Sequence, residues 1–303
     1  MPDRYQSLMD QIRAGVPILI DGATGTEVER RGVKKIENAW NSAGILSDPD
    51  VVQDIHEDYI RSGSQIVISN TFATHRSTLE DAGIADQFET YNRRSVEIAI
   101  AAREKLGAEH VLVAGGLSHW SFSGRKPSIE AMRVNAVEQA QILATAGAEL
   151  LLLEMMSEID RMLAVLDGAQ STGLPVWPGL SCKLDEQGVP VLLDGEPLVD
   201  AMQAITDKDI DLISIMHTDV EHVAACLDVV DACWSGPVGV YAHSGDFAED
   251  ASIYFETVIS EQGYCDHAKQ WLARGVKVVG GCCGVGPAHI DELATLADFG
   301  GSS

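Results

Sequence analysis

The sequence predicts an α/β fold, a single closed (β/α)8 TIM barrel spanning residues 1–303 as one domain. Three observations carry that expectation. Eight short apolar runs alternate with helix-like stretches along almost the whole chain. The runs are continuously apolar, as expected for parallel strands covered on both faces. No linker, low-complexity tract or strong repeat divides them, and one α/β barrel commonly fills this length.

The elements follow in order. Pro17 to Asp21 is a short apolar run ending in Asp21-Gly22-Ala23-Thr24-Gly25-Thr26-Glu27. A helix is expected from Asp50 to about Arg61, with Val51, Val52, Ile55, Tyr59 and Ile60 on one face. The second strand is Gln65 to Ser69, ending at Asn70-Thr71-Phe72, and Gln87 to Leu106 is helical. Val111 to Ala114 is the third strand, followed by Gly115-Gly116-Leu117-Ser118-His119-Trp120. Ser128 caps a helix that Gly147 stops. Leu150 to Leu153 is the fourth strand, ending at Glu154, and Ser157 caps the next helix, to about Gln170. Pro175 to Ser181 is the fifth strand; a loop with Asp194-Gly195 leads to a helix near Leu198 to Ile205. Asp211 to Met216 is the sixth strand, ending at His217, and Asp219 starts a helix in which Glu221 and His222 have a structural part. Pro237 to Ala242 is the seventh strand. A long helix is expected from about Ser252 to Arg274, then an eighth strand, Val276 to Val279, and a last helix from Pro287 to Ala297.

Composition narrows the function. Lys and Arg number 21 against 46 Asp and Glu, a net charge of −25. That disfavours nucleic acid and anionic membrane as partners and leaves a small molecule. Six cysteines at irregular spacing do not make a disulfide framework. The first ten residues lack an apolar signal core, and no run approaches the ~20 apolar residues of a membrane span. A cytoplasmic protein with reduced thiols is expected.

In a barrel of this kind, sites form at the C-terminal strand ends. The polar residues there are Asp21, Asn70, Glu154, His217, His243 and the pair Cys282-Cys283. Adjacent cysteines also suit a vicinal disulfide or two buried thiols, and they are not the usual Cys-x-x-Cys zinc spacing. Placed opposite His217 in a barrel, they complete a three-ligand zinc site with an open fourth position. Such a site takes water, or a thiol held as thiolate.

Gly280-Gly281-Cys282-Cys283-Gly284-Val285-Gly286-Pro287-Ala288-His289-Ile290 resembles the zinc loop of the homocysteine S-methyltransferases, a family that includes betaine- and S-methylmethionine-dependent enzymes. The resemblance runs from about Ile18 to Ala294. The Asp21 to Glu27 segment, Trp40, Asn70-Thr71-Phe72 and Glu154 also sit where family motifs place them. It implies a zinc-dependent transferase that moves a methyl group from a sulfonium or ammonium donor to homocysteine, in methionine biosynthesis. By that resemblance Asp21 and Glu154 hold the amino group of homocysteine and serve as the catalytic pair. The backbone near Gly25 and Thr26 holds its carboxylate, and zinc takes its sulfur. Trp40, Asn70, His119, Trp120 and His243 are the further candidates for substrate contact.

The departures bear on the chemistry. His217 falls where the family has a third cysteine ligand. Three thiolates on Zn²⁺ leave a net negative site, whereas two thiolates and a neutral imidazole leave a neutral one. A tighter hold on substrate thiolate and a less nucleophilic sulfur are expected. The loops at His119-Trp120 and His243 also differ from the family pattern. Positions that hold tyrosine in the betaine branch are Ala73 and Met155 here, which disfavours betaine. Two other readings stand beside methyl transfer: hydrolysis, lyase or demethylation chemistry in the same barrel, and a non-catalytic barrel that binds a thiol or sulfonium. Homo-oligomerisation stays open.

Overall fold

The computed structural model describes residues 4–244, 246–247, 255–296 and 299. The strands are β1 (Ile18–Leu19), β2 (Ile66–Ile68), β3 (Leu112–Ser118), β4 (Leu150–Met156), β5 (Val176–Leu180), β6 (Cys182–Leu184), β7 (Pro190–Leu192), β8 (Ile213–Asp219), β9 (Val238–His243), β10 (Asp246–Phe247), β11 (Phe255–Thr257) and β12 (Val278–Val279). The helices are α1 (Arg4–Arg13), α2 (Thr24–Arg30), α3 (Gly44–Ser47), α4 (Pro49–Arg61), α5 (Arg76–Asp81), α6 (Phe88–Lys105), α7 (Ile129–Ala146), α8 (Ile159–Gln170), α9 (Leu198–Ile205), α10 (Val223–Cys233), α11 (Glu261–Ala273) and α12 (Pro287–Ala294).

Eight strands pair in parallel in the order β1-β12-β9-β8-β5-β4-β3-β2. The two ends meet at a parallel bridge between Ile20 and Ile66. Gln65 N–H donates to the Leu19 carbonyl at 2.8 Å there, and Asp21 N–H to the Ile66 carbonyl at 3.0 Å. The sheet is a (β/α)8 TIM barrel. β6–β7 and β10–β11 are separate antiparallel pairs.

Strand side chains alternate between two cores, as the period-2 geometry of strands requires. Ile18, Ile66, Ile68, Leu112, Leu150, Leu152 and Trp177 fill the barrel interior. Leu19, Val67, Val113, Leu151, Leu153, Ile215 and Val240 face the helices. Nothing in the sequence pattern announces α1. Its Leu8, Met9 and Ile12 join the interior cluster, Trp177 donates to the Tyr5 hydroxyl at 3.1 Å, and Arg4 pairs with Glu149 at 2.6 Å. Three apolar residues in an otherwise polar decapeptide are a weak periodic signal.

Several expected boundaries shift. Ser128 caps α7 by accepting from Ala131 N–H, and Gly147 ends it at φ 108°. Ser157 is not a cap: α8 starts at Ile159, and the Ser157 N–H donates to His119 Nε2 instead. Asp219 ends β8 rather than starting a helix; its Oδ1 accepts from Glu221 N–H at 2.9 Å, turning the chain before α10. The helix expected from Ser252 is shorter, because Phe255–Thr257 is a strand and the Ser260 hydroxyl caps α11; residues 251–254 lie outside the described residues. β3, β4 and β8 run past the apolar segments that marked them, so Glu154 and His217 sit in strands. Ladder hydrogen bonds use the backbone, and a polar side chain does not end them. Among the described residues, no helix is long and apolar enough to cross a membrane.

Candidate active site

Two irregular strand ends set the site. The pairing register shifts between Leu153 and Met156 in β4 and between Met216 and Asp219 in β8. Each shift contains a residue in the left-handed region, Met155 at φ 54° and His217 at φ 43°. Bulges at barrel rims re-aim side chains in this way, and a non-glycine residue held there stores strain that its surroundings must over-determine. At His217 they do so through the preceding carbonyl. Met216 O accepts from the Ser181 hydroxyl and from the Thr218 hydroxyl, both at 3.0 Å.

The Cys282-Cys283 loop is fixed from several sides. Cys282 N–H donates to Ala242 O at 2.9 Å, Gly281 N–H to Asp21 O at 3.1 Å, and Ser244 N–H to Cys283 O at 3.0 Å. Gly284 turns at φ 83°, and a side chain on Gly281 would come within 2.1 Å of Val285. Those two glycines have a local reason.

The result brings His217 to the two thiols. His217 Nδ1 lies 3.4 Å from Cys282 Sγ, and the two sulfurs are 3.9 Å apart. The three potential ligand atoms all lie within 4.8 Å of one another. Cys283, by contact, and burial hold the Cys282 thiol well above its usual range. A sulfur-seeking cation reverses that direction, since coordination removes the proton. Two sulfurs and an imidazole nitrogen at this spacing suit zinc. The His243 ring stacks on His217, centroids 5.1 Å apart.

The cluster opens on a cavity of about 600 Å³ at the strand C-terminal ends. Of the sequence candidates, Gly25, Trp40, Asn70, Trp120, Glu154, His217, His243, Cys282 and Cys283 line it. Asp21, Thr26 and His119 do not. Asp21 lies beneath, 1% exposed, with Oδ2 accepting from Ile68 N–H at 2.8 Å and Oδ1 without a partner. The Thr26 hydroxyl accepts from Gly284 N–H at 3.4 Å and so braces the thiol loop. His119 borders a separate small cavity beside His75 and Gln139; burial lowers its pKa to about 3, which keeps it neutral.

Burial raises the Glu154 carboxyl to about 8, although its tip opens to the cavity. Burial chiefly, and then the charge of Glu154, push Asp21 well above the usual carboxylate range. Two neighbouring carboxyls short of hydrogen-bond donors favour a cationic guest.

Sequence reasoning missed other lining groups. Phe72 and Phe122 join Trp40 in a wall with centroids 6.0, 6.0 and 6.2 Å apart. Phe122 carried no signal beyond its nearness to Trp120. Cys182 reaches the cavity through the β6–β7 hairpin, and so does Lys183. His222, read as structural, lines it along with Asp219 and Tyr241.

A (β/α)8 barrel with two thiols, an imidazole and the Glu154 carboxyl lining the cavity at its mouth, and the Asp21 carboxyl beneath, has the layout of a barrel enzyme acting on a small molecule. Comparison with known proteins makes this specific. The chain belongs to the homocysteine S-methyltransferase family, whose sequence profile matches residues 18–297. It is a homocysteine S-methyltransferase-like enzyme, a methyltransferase. The homocysteine S-methyltransferase of Escherichia coli (strain K12) is 28% identical over 302 residues, covering 91% of this chain and 94% of that protein. The homocysteine S-methyltransferase YbgG of Bacillus subtilis (strain 168) is 24% identical, covering 92% and 94%. The crystal structure of the homocysteine methyltransferase MmuM from Escherichia coli, in its metallated form, superposes with a TM-score of 0.79 at 25% identity, covering 96% of this chain and 98% of that one.

Proposed function

We propose that the enzyme transfers a methyl group from a sulfonium or ammonium donor to the sulfur of homocysteine, with zinc held by His217, Cys282 and Cys283. The observation that carries this reading is the convergence of those three ligand atoms within 4.8 Å at the edge of the cavity. When bound, zinc lowers the pKa of the substrate thiol so that it reacts as thiolate near neutral pH.

The chain's own residues bind and orient. Glu154 and Asp21 receive the ammonium of homocysteine, and the backbone near Gly25 and Thr26 receives its carboxylate. The aromatic wall of Trp40, Phe72 and Phe122 faces the positively charged methyl donor, since aromatic faces attract cations. The sulfur lone pair forms the new S–CH3 bond as the donor's S–C or N–C bond breaks. The electron pair goes to the donor heteroatom, which leaves neutral. Holding the two partners in line supplies ~7–11 kcal/mol in favourable cases. Asn70 and Trp120 border the same space, and His243 backs His217; His119, outside the cavity, fixes the start of the α8 loop.

The test pairs metal analysis with methyl transfer. About one zinc per chain is expected in the reduced protein, with methionine formed from homocysteine and S-methylmethionine. Cys282→Ala should lose both while its circular dichroism is unchanged. Full activity in that variant would sink the reading.

A further inference from the structure

Tyr241, on β9, points into the barrel and is 2% exposed. Its hydroxyl has no hydrogen-bond partner, although a buried unsatisfied group of this kind costs about 1–3 kcal/mol. The ring reaches across to β5, where a Cβ on Gly179 would lie 2.5 Å from the hydroxyl. Only the missing methyl at Gly179 lets it lie there. The charges of Glu154, Cys282 and Asp21 all bear on the hydroxyl, and Tyr241 lines the same cavity as Glu154 and Cys282.

Two more acceptors nearby lack donors. Asp21 Oδ1 is buried without a partner. Glu154 is perturbed by burial alone, with no hydrogen bond contributing. Its Oε2 lies 2.2 Å from where Gly116 would carry a Cβ, so a second absent methyl makes room for it. Three oxygens, from β9, β4 and the end of β1, thus lack donors, and the charge of Glu154 bears on both of the others. Water brings two O–H donors; a primary ammonium brings three N–H donors and a positive charge.

We propose that the Tyr241 hydroxyl is the third acceptor of an ammonium cradle completed by Asp21 and Glu154, and that it selects acceptors carrying an α-amino group. This rests on the reading of homocysteine as acceptor. It adds a substrate-binding residue from a strand whose apolar character hid it. Tyr241 takes no part in activating the sulfur.

The experiment compares the zinc-loaded wild type with Tyr241→Phe by calorimetry, using three probes: L-homocysteine, 4-mercaptobutanoate, which lacks the amino group, and L-methionine, which lacks the free thiol. The variant should bind homocysteine and methionine about tenfold more weakly or worse, as expected for a hydrogen bond to a charged group, with 4-mercaptobutanoate within about twofold of wild type. Without ligand it should melt at or above the wild-type temperature, because an orphan hydroxyl has been removed. Equal weakening of all three probes, no weakening of any, or a lower melting temperature overturns the proposal. A wild type that binds methionine but not homocysteine, with methionine weakened in the variant, upholds the cradle and overturns the acceptor. Binding of neither amino acid by the wild type overturns both.

Discussion

In the proposed zinc site His217 sets the charge: with two thiolates and a neutral imidazole the site would be neutral, and a third thiolate would make it an anion. His217→Cys should therefore raise kcat with homocysteine and raise KM, because a more electron-rich centre releases its sulfur more readily; steady-state kinetics read both. His217→Ala should lower zinc content. Unchanged metal content there would remove His217 from the ligand set. The two cysteines were legible in the sequence because Gly-Gly-Cys-Cys-Gly packs turn-forming and soft-ligand residues into five positions. His217 was legible because it follows an apolar run at a strand end. Tyr241 was not, since one aromatic residue inside Val238–His243 reads as core until its hydroxyl is seen to have no partner.

The strand ends aim the chemistry. β4 and β8 each carry a register shift and a left-handed residue at the rim, and β3 gives way at Gly116 so that Glu154 can fold over it. Gly116→Ala should displace the carboxylate. We expect a homocysteine KM at least about tenfold higher, given the cost of losing a charged hydrogen bond, with zinc content unchanged. A variant that kept wild-type KM would mean that Glu154 does not bind substrate. Apolar runs located all eight barrel strands, because parallel strands buried on both faces advertise themselves. The bulges left no trace, since backbone register depends on pairing partners that a single stretch does not contain. The Thr24–Arg30 helix was hidden by its short length and its glycine, and α1 by its charged residues.

At the scale of the molecule, the closed barrel buries the Asp21 carboxyl fully and that of Glu154 in part. Glu154, raised to about 8 from an ordinary 4.5, binds its proton more tightly folded than unfolded. Its contribution to stability is complete below pH 4.5 and is lost as pH rises through 8. The metal-free Glu154→Gln protein should therefore gain on the wild type across that window; thermal melts from pH 5 to pH 8 would show the gap widening, and parallel curves would contradict it. The opposite end of the barrel is sealed by α1. Leu8→Ala there removes a side chain 2% exposed and should cost about 2–5 kcal/mol, measurable as a lower denaturant midpoint with little change in KM. A change in KM without a change in midpoint would place α1 in the active site rather than under it.

Gly116 and Gly179 contribute no side chain, yet the reach of Glu154 and Tyr241 depends on both. Part of the reacting surface is thus an imprint of two absent carbon atoms. A mutational survey built on functional groups would pass over both positions, and one that replaces residues with alanine would treat the change as trivial. For anyone redirecting this barrel to a different acceptor, a single added methyl at either position alters the mould more than the exchange of most visible side chains.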